Sequence, residues 1–141
     1  MNLILVFDEA SEGDTSIIPR IVAEIKFATV NTPEVIVHSE KADRIRRVSP
    51  YVRYGFVLGG MSHIPGRVLR LGQRFDFIAT LPADLNGPEM SAFIEAMRQE
   101  AETSRELTKV LFGHRKPTLF HKRLIINNRT SGLGEEGEKV R

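Results

Sequence analysis

The 141-residue chain has no cysteine, which excludes disulfides, thiolate metal sites and cysteine nucleophiles, and agrees with a reducing compartment or a hot one. No apolar run reaches the roughly 20 residues that a membrane helix needs. The N-terminus passes from Met1 straight into Leu3-Ile4-Leu5-Val6-Phe7, with no basic leader and no small-residue cleavage site. It therefore reads as a strand and not as a signal peptide, and a cytoplasmic location is expected. The glycine stretch Gly59–Gly66 has neither Gly-Lys-Ser/Thr nor the Gly-x-Gly-x-x-Gly spacing, so as a site for nucleoside triphosphates or NAD it is unsupported. His38, His63, His114 and His121 lack the spacing of a zinc pair, and no serine stands in a nucleophile elbow. No repeat or low-complexity tract is visible.

What is present fits one globular domain: 41% hydrophobic and 27% charged residues, in a chain long enough to bury about two-thirds of its unfolded surface. Net charge is only +2, but it is unevenly distributed. Residues 1–40 carry seven acids against Arg20 and Lys26, a net −5. Residues 41–74 carry eight bases (Lys41, Arg44, Arg46, Arg47, Arg53, Arg67, Arg70, Arg74) against Asp43, a net +7. Such a segment either contacts phosphate, which the planar guanidinium suits, or forms a solvated face paired with the acidic third.

Asn2–Phe7 reads as a buried strand. Ile17, Ile18, Ile21, Val22 and Ile25 recur at helical spacing behind Thr15, Ser16 and Pro19, and predict a first helix over 17–28. Glu34–His38, rich in β-branched residues, predicts a second strand, followed by a short helix over 40–48 that ends before Pro50. Tyr54–Leu58 is a third strand opening into a glycine turn, 66–71 a short helix, and Phe75–Thr80 a fourth strand. Apolar residues from Met90 to Leu111 mark a long helix over 88–112, stopped by Gly113. Leu119–Ile126 alternates as a fifth, edge strand.

These alternations predict an α/β domain over residues 1–126, with a mainly parallel, Rossmann-like sheet of about five strands and helices on both faces. Residues 127–141, glycine-rich and charged, read as a flexible tail. Ligands of parallel sheets bind beyond the strands' carboxyl ends. Loops 8–16, 38–41, 59–66 and 80–88 are expected on one edge, bringing Asp8, Glu9, Asp14, His38, His63 and Asp84 to one cleft. The Asp8–Asp14 cluster is either a magnesium site or a solvated helix-entry loop.

The stretch Gly59-Gly60-Met61-Ser62-His63-Ile64-Pro65-Gly66 combines a close backbone approach with a group that titrates near neutrality. It is either a ligand cradle with His63 as acid or base, or a tight strand-to-helix turn. It resembles the Gly-Gly-x-x-His-Leu-Pro-Gly loop of the purE-type aminoimidazole ribonucleotide carboxylase/mutases, where such a histidine lies at the active site. That family's Gly-Ser-x-Ser-Asp loop and Ser-Ala-His-Arg motif are absent.

Over Val35–Phe112 the layout also resembles the SPOUT class of RNA methyltransferases: a strand ending in Gly-Gly, a further strand ending in a loop, a long C-terminal helix and a basic surface. That resemblance implies a knotted α/β domain, a homo-oligomer such as a dimer, and S-adenosylmethionine cradled by loops 58–63 and 80–88 through Leu58, Gly59, Gly60, Leu81, Pro82 and Asn86. RNA phosphates would be met by Arg44, Arg46, Arg47, Arg67, Arg70, Arg115 and Lys116. Two other classes stay open: a non-enzymatic nucleic-acid-binding or assembly module using the basic turn 114–123 and the tail, and a small-molecule enzyme using His63 on a phosphorylated substrate.

Overall fold

A computed structural model describes residues 2–10, 13, 16–27, 29–114, 116–121 and 124–127. The elements run β1 (Asn2–Glu9), β2 (Ile17–Phe27), α1 (Thr32–Val48), β3 (Arg53–Gly59), α2 (Gly66–Leu71), β4 (Phe77–Leu81) and α3 (Pro88–Phe112). The four strands form one open mixed sheet in the order β1-β2-β3-β4. β1 and β2 are an antiparallel hairpin, while β2, β3 and β4 are parallel.

The sheet is covered on both faces. Val22 on β2 and Tyr54, Phe56 and Leu58 on β3 pack with Val35 and Ala42 of α1 and Val68 of α2. The alternate residues Ile21, Ala23 and Val57 pack against Phe93, Met97 and Ala101 of α3. β3 reads as a continuous apolar run because it is buried on both sides.

Two elements differ from the expectation. Residues 17–27, expected as a helix, are strand β2. Their stripe of isoleucine and valine serves a strand equally well, and β-branched side chains favour the pleated surface. Pro19 causes no break, because it pairs with Phe7 at a bulge and lies outside the parallel ladder, which begins at Ile21. Residues 34–38, expected as a strand, are the first turns of α1. A reciprocal cap decides this: the Glu34 amide donates to Asn31 Oδ1 at 2.9 Å, and Asn31 Nδ2 donates to Glu34 Oε1 at 2.9 Å, with Pro33 in the first turn.

Of the expected fifth strand over 119–126, the described residues belong to no strand and are exposed. The expected single cleft also divides. Because β1 is antiparallel, Asp8 and Glu9 pair with Ile18 and Ile17 at the start of β2. They therefore lie at the sheet edge opposite the 60–65 and 82–87 loops. Asp14 and residues 128–141 lie outside the described residues.

Candidate functional site

Alternation along β2 sends Val22, Glu24 and Lys26 to the α1 side of the sheet. Glu24 is 2% exposed there. His38 and Lys41, three residues apart on α1, both project over it. Lys41 Nζ donates to Glu24 Oε1 at 2.8 Å, and the Tyr54 hydroxyl, from β3, donates to the same oxygen at 2.7 Å. His38 Nδ1 lies in contact with the other oxygen, Oε2. The imidazole is steadied from beneath by Phe56, stacked at 5.9 Å, and Phe56 in turn stacks on Phe75 at 5.0 Å.

Burial pushes the Glu24 carboxyl up, but the Lys41 and Tyr54 hydrogen bonds and the His38 charge outweigh it, and the group ends below its ordinary value. The Tyr54 phenol is pushed well up, by burial first and then by the neighbouring carboxylate. One step further along the same strand face, Lys26 Nζ stands 3.1 Å from Glu34 Oε2. Two carboxylates, two ammonium groups, an imidazole and a phenol thus share one side of β2. Glu24 meets Nδ1 of His38 and so fixes the orientation of the ring. Among the described residues no group of three or more histidine, aspartate and glutamate side chains is placed to hold a metal ion.

In the glycine loop, Gly59 and Gly60 each have a structural explanation. Gly59 pairs with Phe27 across the parallel ladder, and a Cβ at Gly59 would stand 2.5 Å from that ring. Gly60 turns the chain at φ +79°, and the space about it is open. Leu58 is fully buried in the core, so its side chain is unavailable to a ligand. His63 is exposed, 3.2 Å from Ser62 Oγ, and is not among the groups about Glu24. α2 has six residues, too few to build a substantial dipole at Gly66.

Gly59 and Leu81 are register partners, so the 60–65 and 82–87 loops leave the sheet side by side. Pro82, Ala83, Asp84, Gly87, Pro88 and Glu89 line a depression, and the Asn86 backbone N–H donates to Asp84 Oδ1 at 3.0 Å. The strands follow one another in chain order and both crossover helices, α1 and α2, pack on one face, so the described sheet has no reversal of strand order to open a crevice.

The basic segment is largely paired within the fold. Arg46 meets Asp76 at 3.2 Å, Arg47 meets Asp43 at 2.9 Å, and Arg53 meets Glu100 at 2.8 Å and Asp76 at 3.4 Å. Arg67 donates to the Val30 carbonyl. Arg44, Arg70 and Lys116 are exposed, and Arg115 lies outside the described residues. Glu100 is held above the ordinary carboxylate range by burial, against the pull of Arg53.

On the other face, Asp8 accepts from Arg20 at 3.0 Å and from Arg105 at 2.9 and 3.0 Å. Arg20 also donates to Thr108 Oγ1 at 2.7 Å and lies over the Tyr51 ring at 5.8 Å. This network ties β1 and β2 to α3, and it accounts for Asp8 without a ligand. No protein-family model, curated protein or solved structure matches the chain. No helix among the described residues is long and apolar enough to cross a membrane.

Of these groups the sequence marks His38 as a cleft candidate and Lys41 as part of the basic segment, and it marks neither Glu24 nor Tyr54 as a site residue. The signal that could have joined them is a charged residue at the centre of the run Ile21-Val22-Ala23-Glu24-Ile25-Lys26-Phe27. Read as a strand, that run forces a carboxylate onto a covered face.

Proposed function

We propose that the chain is a nucleic-acid-directed enzyme of phosphoester chemistry, with its reactive centre on the α1 side of β2. The observation that carries this reading is the Glu24 carboxylate, which is buried yet touched by an imidazole, an ammonium and a phenol. Perturbed titratable groups gathered in this way are a physical mark of functional sites. Glu24 orients His38 as the acid–base group, while Lys41 and Lys26 supply positive charge for a phosphate. Arg44, Arg70 and Arg74, exposed and without an ion pair among the described residues, meet the flanking backbone.

The test is hydrolysis of single- and double-stranded DNA and RNA, with and without added magnesium, by the wild type and by Glu24→Gln, Lys26→Met and His38→Asn. A positioned acid–base group is worth about 10²–10⁴-fold in rate, so His38→Asn is expected to lose that much while keeping its circular dichroism. A wild type inert on every nucleic acid sinks the reading.

A second reading rests on the pairing of Gly59 with Leu81. In it Gly59, Gly60, Leu81, Pro82 and Asn86 hold S-adenosylmethionine by backbone groups, with His63 beside them, as in a Rossmann-like, knotted SPOUT methyltransferase acting on RNA. Calorimetric titration decides it: no heat with S-adenosylmethionine or S-adenosylhomocysteine removes this reading and leaves the first untouched.

A further inference from the structure

Among the described residues β1 is an edge strand, and the apolar side chains on its α1-side face are half exposed. Leu3, Leu5 and Phe7 alternate along it and are 50%, 59% and 52% exposed, whereas Ile4 and Val6, on the opposite face, pack with the α3 core. α1 packs over β3 and meets β2 at Glu24. The usual guards of an edge strand are lysine, proline and inward-pointing charge. β1 has neither lysine nor proline, and its inward charge, Asp8, is at the far end and held by Arg20 and Arg105.

We infer that β1 pairs antiparallel with β1 of a second copy of this chain, about a two-fold axis at Leu5. The strand is self-complementary in that one register. Leu5 faces Leu5 of the partner, Leu3 faces Phe7, Ile4 faces Val6 and Asn2 faces Asp8, so all three exposed apolar side chains meet apolar neighbours. A shift by two residues one way sets Leu3 against Glu9, the other way carries Phe7 past Asn2, where the strand starts, and a shift by one sets the exposed row against the inward-facing one. Parallel pairing would stack Asp8 and Glu9 on their copies; the antiparallel arrangement sends the acidic ends apart. The interface is isologous, and its result is a continuous eight-stranded sheet. Both α1 helices then stand on the same side of that sheet, flanking a floor made by Leu3, Leu5 and Phe7 of the two copies. The inference does not depend on the reaction proposed above.

Sedimentation equilibrium of the full chain, from micromolar to millimolar, is expected to give a dimer. Leu5→Lys, which sets two ammonium groups face to face, is expected to raise the dimer dissociation constant at least a hundredfold. Leu3→Lys and Phe7→Glu are each expected to weaken it similarly, and an equimolar mixture of the two to re-associate through the new Lys–Glu contacts, which a merely misfolded variant cannot do. Because the chain has no cysteine, Leu5→Cys gives a clean cross-link: oxidation is expected to yield a disulfide-bonded dimer, and Leu69→Cys on α2 to yield none. A monomer at every concentration overturns the inference. So does a dimer that survives Leu5→Lys, and one that instead dissolves on truncation after Pro117 assigns the contact to the C-terminal segment.

Discussion

The Tyr54 hydroxyl donates to the Glu24 carboxylate at 2.7 Å, from the strand beside it in the parallel ladder. Each group sets the other's protonation: the phenol helps to hold the carboxylate ionised, and the carboxylate helps to hold the phenol neutral. Tyr54→Phe is expected to cost about 1–2 kcal/mol, since one lone pair of a buried carboxylate loses its donor. Glu24→Gln is expected to cost about 2–4 kcal/mol, tempered because half-exposed Lys41 can turn to water. The double variant should cost less than the sum, which urea unfolding in a double-mutant cycle measures. The sign with pH follows from the lowered carboxyl. Its contribution is present above the unfolded value and is lost as pH falls through the folded one, so Tyr54→Phe should move acid unfolding to higher pH.

Gly55 and Phe77 are register partners on β3 and β4, and the aromatic ring occupies the space a side chain at residue 55 would need. A Cβ there would stand 2.0 Å from the ring. Gly55→Ala is therefore expected to destabilise the domain by about 2–3 kcal/mol, in the range of core overpacking. Phe77→Leu in the same chain should recover part of that loss if the clash is the cause. Equal costs for Gly55→Ala with and without Phe77→Leu would place the effect elsewhere.

How much of this was legible from residues alone varies with how strongly the local signal binds the backbone. β3, α2 and α3 were readable because burial on both faces, a Pro-Gly start and a Gly113 stop leave one interpretation each. The stretches 17–27 and 34–38 were exchanged because β-branched residues spaced at i and i+4 satisfy both periods. The Asn31–Glu34 cap was the decisive local signal, and it outweighs the strand preference of Val35-Ile36-Val37. That exchange hid the candidate site. On a helix, Glu24 would sit among solvated neighbours; on β2 it is driven under α1, where His38 and Lys41 meet it. Gly59 and Gly60 stand out in the sequence, yet Phe27 accounts for the first and a left-handed turn for the second.

The arginines divide by what already holds them. Arg46 and Arg53 converge on Asp76, so replacing either by alanine should lower stability without selectively weakening nucleic-acid binding. Arg44, Arg70 and Arg74 have no such partner among the described residues, and their joint replacement by alanine should leave the unfolding midpoint nearly unchanged. If all three meet phosphate, the dependence of log affinity on log salt should lose about 2.7 in slope. Titration of a fluorescent oligonucleotide at several salt concentrations reads that slope, and an unchanged value removes these side chains from the interface.

Asp8 supplies a second dependence on acid. The Arg105 hydrogen bonds pull its carboxyl down first, partial burial opposes them, and Arg20 adds to the pull, leaving it at about 2 against a model-peptide value of 3.8. A lowered carboxyl stabilises the fold fully above its unfolded value and loses that contribution as pH falls from about 4 to about 2. With the pair partly open to solvent, the loss is on the order of 1 kcal/mol. Asp8→Asn should carry that cost already at neutral pH and flatten the decline in stability between pH 4 and 2, as followed by urea midpoints. It should also loosen α3, because Arg20 and Arg105 lose the anion that draws β1, β2 and the last turns of the helix together. Faster amide exchange near Ser104 and Thr108 than near Phe93 would show that loosening, whereas uniform acceleration along α3 would mean the network does not anchor that end.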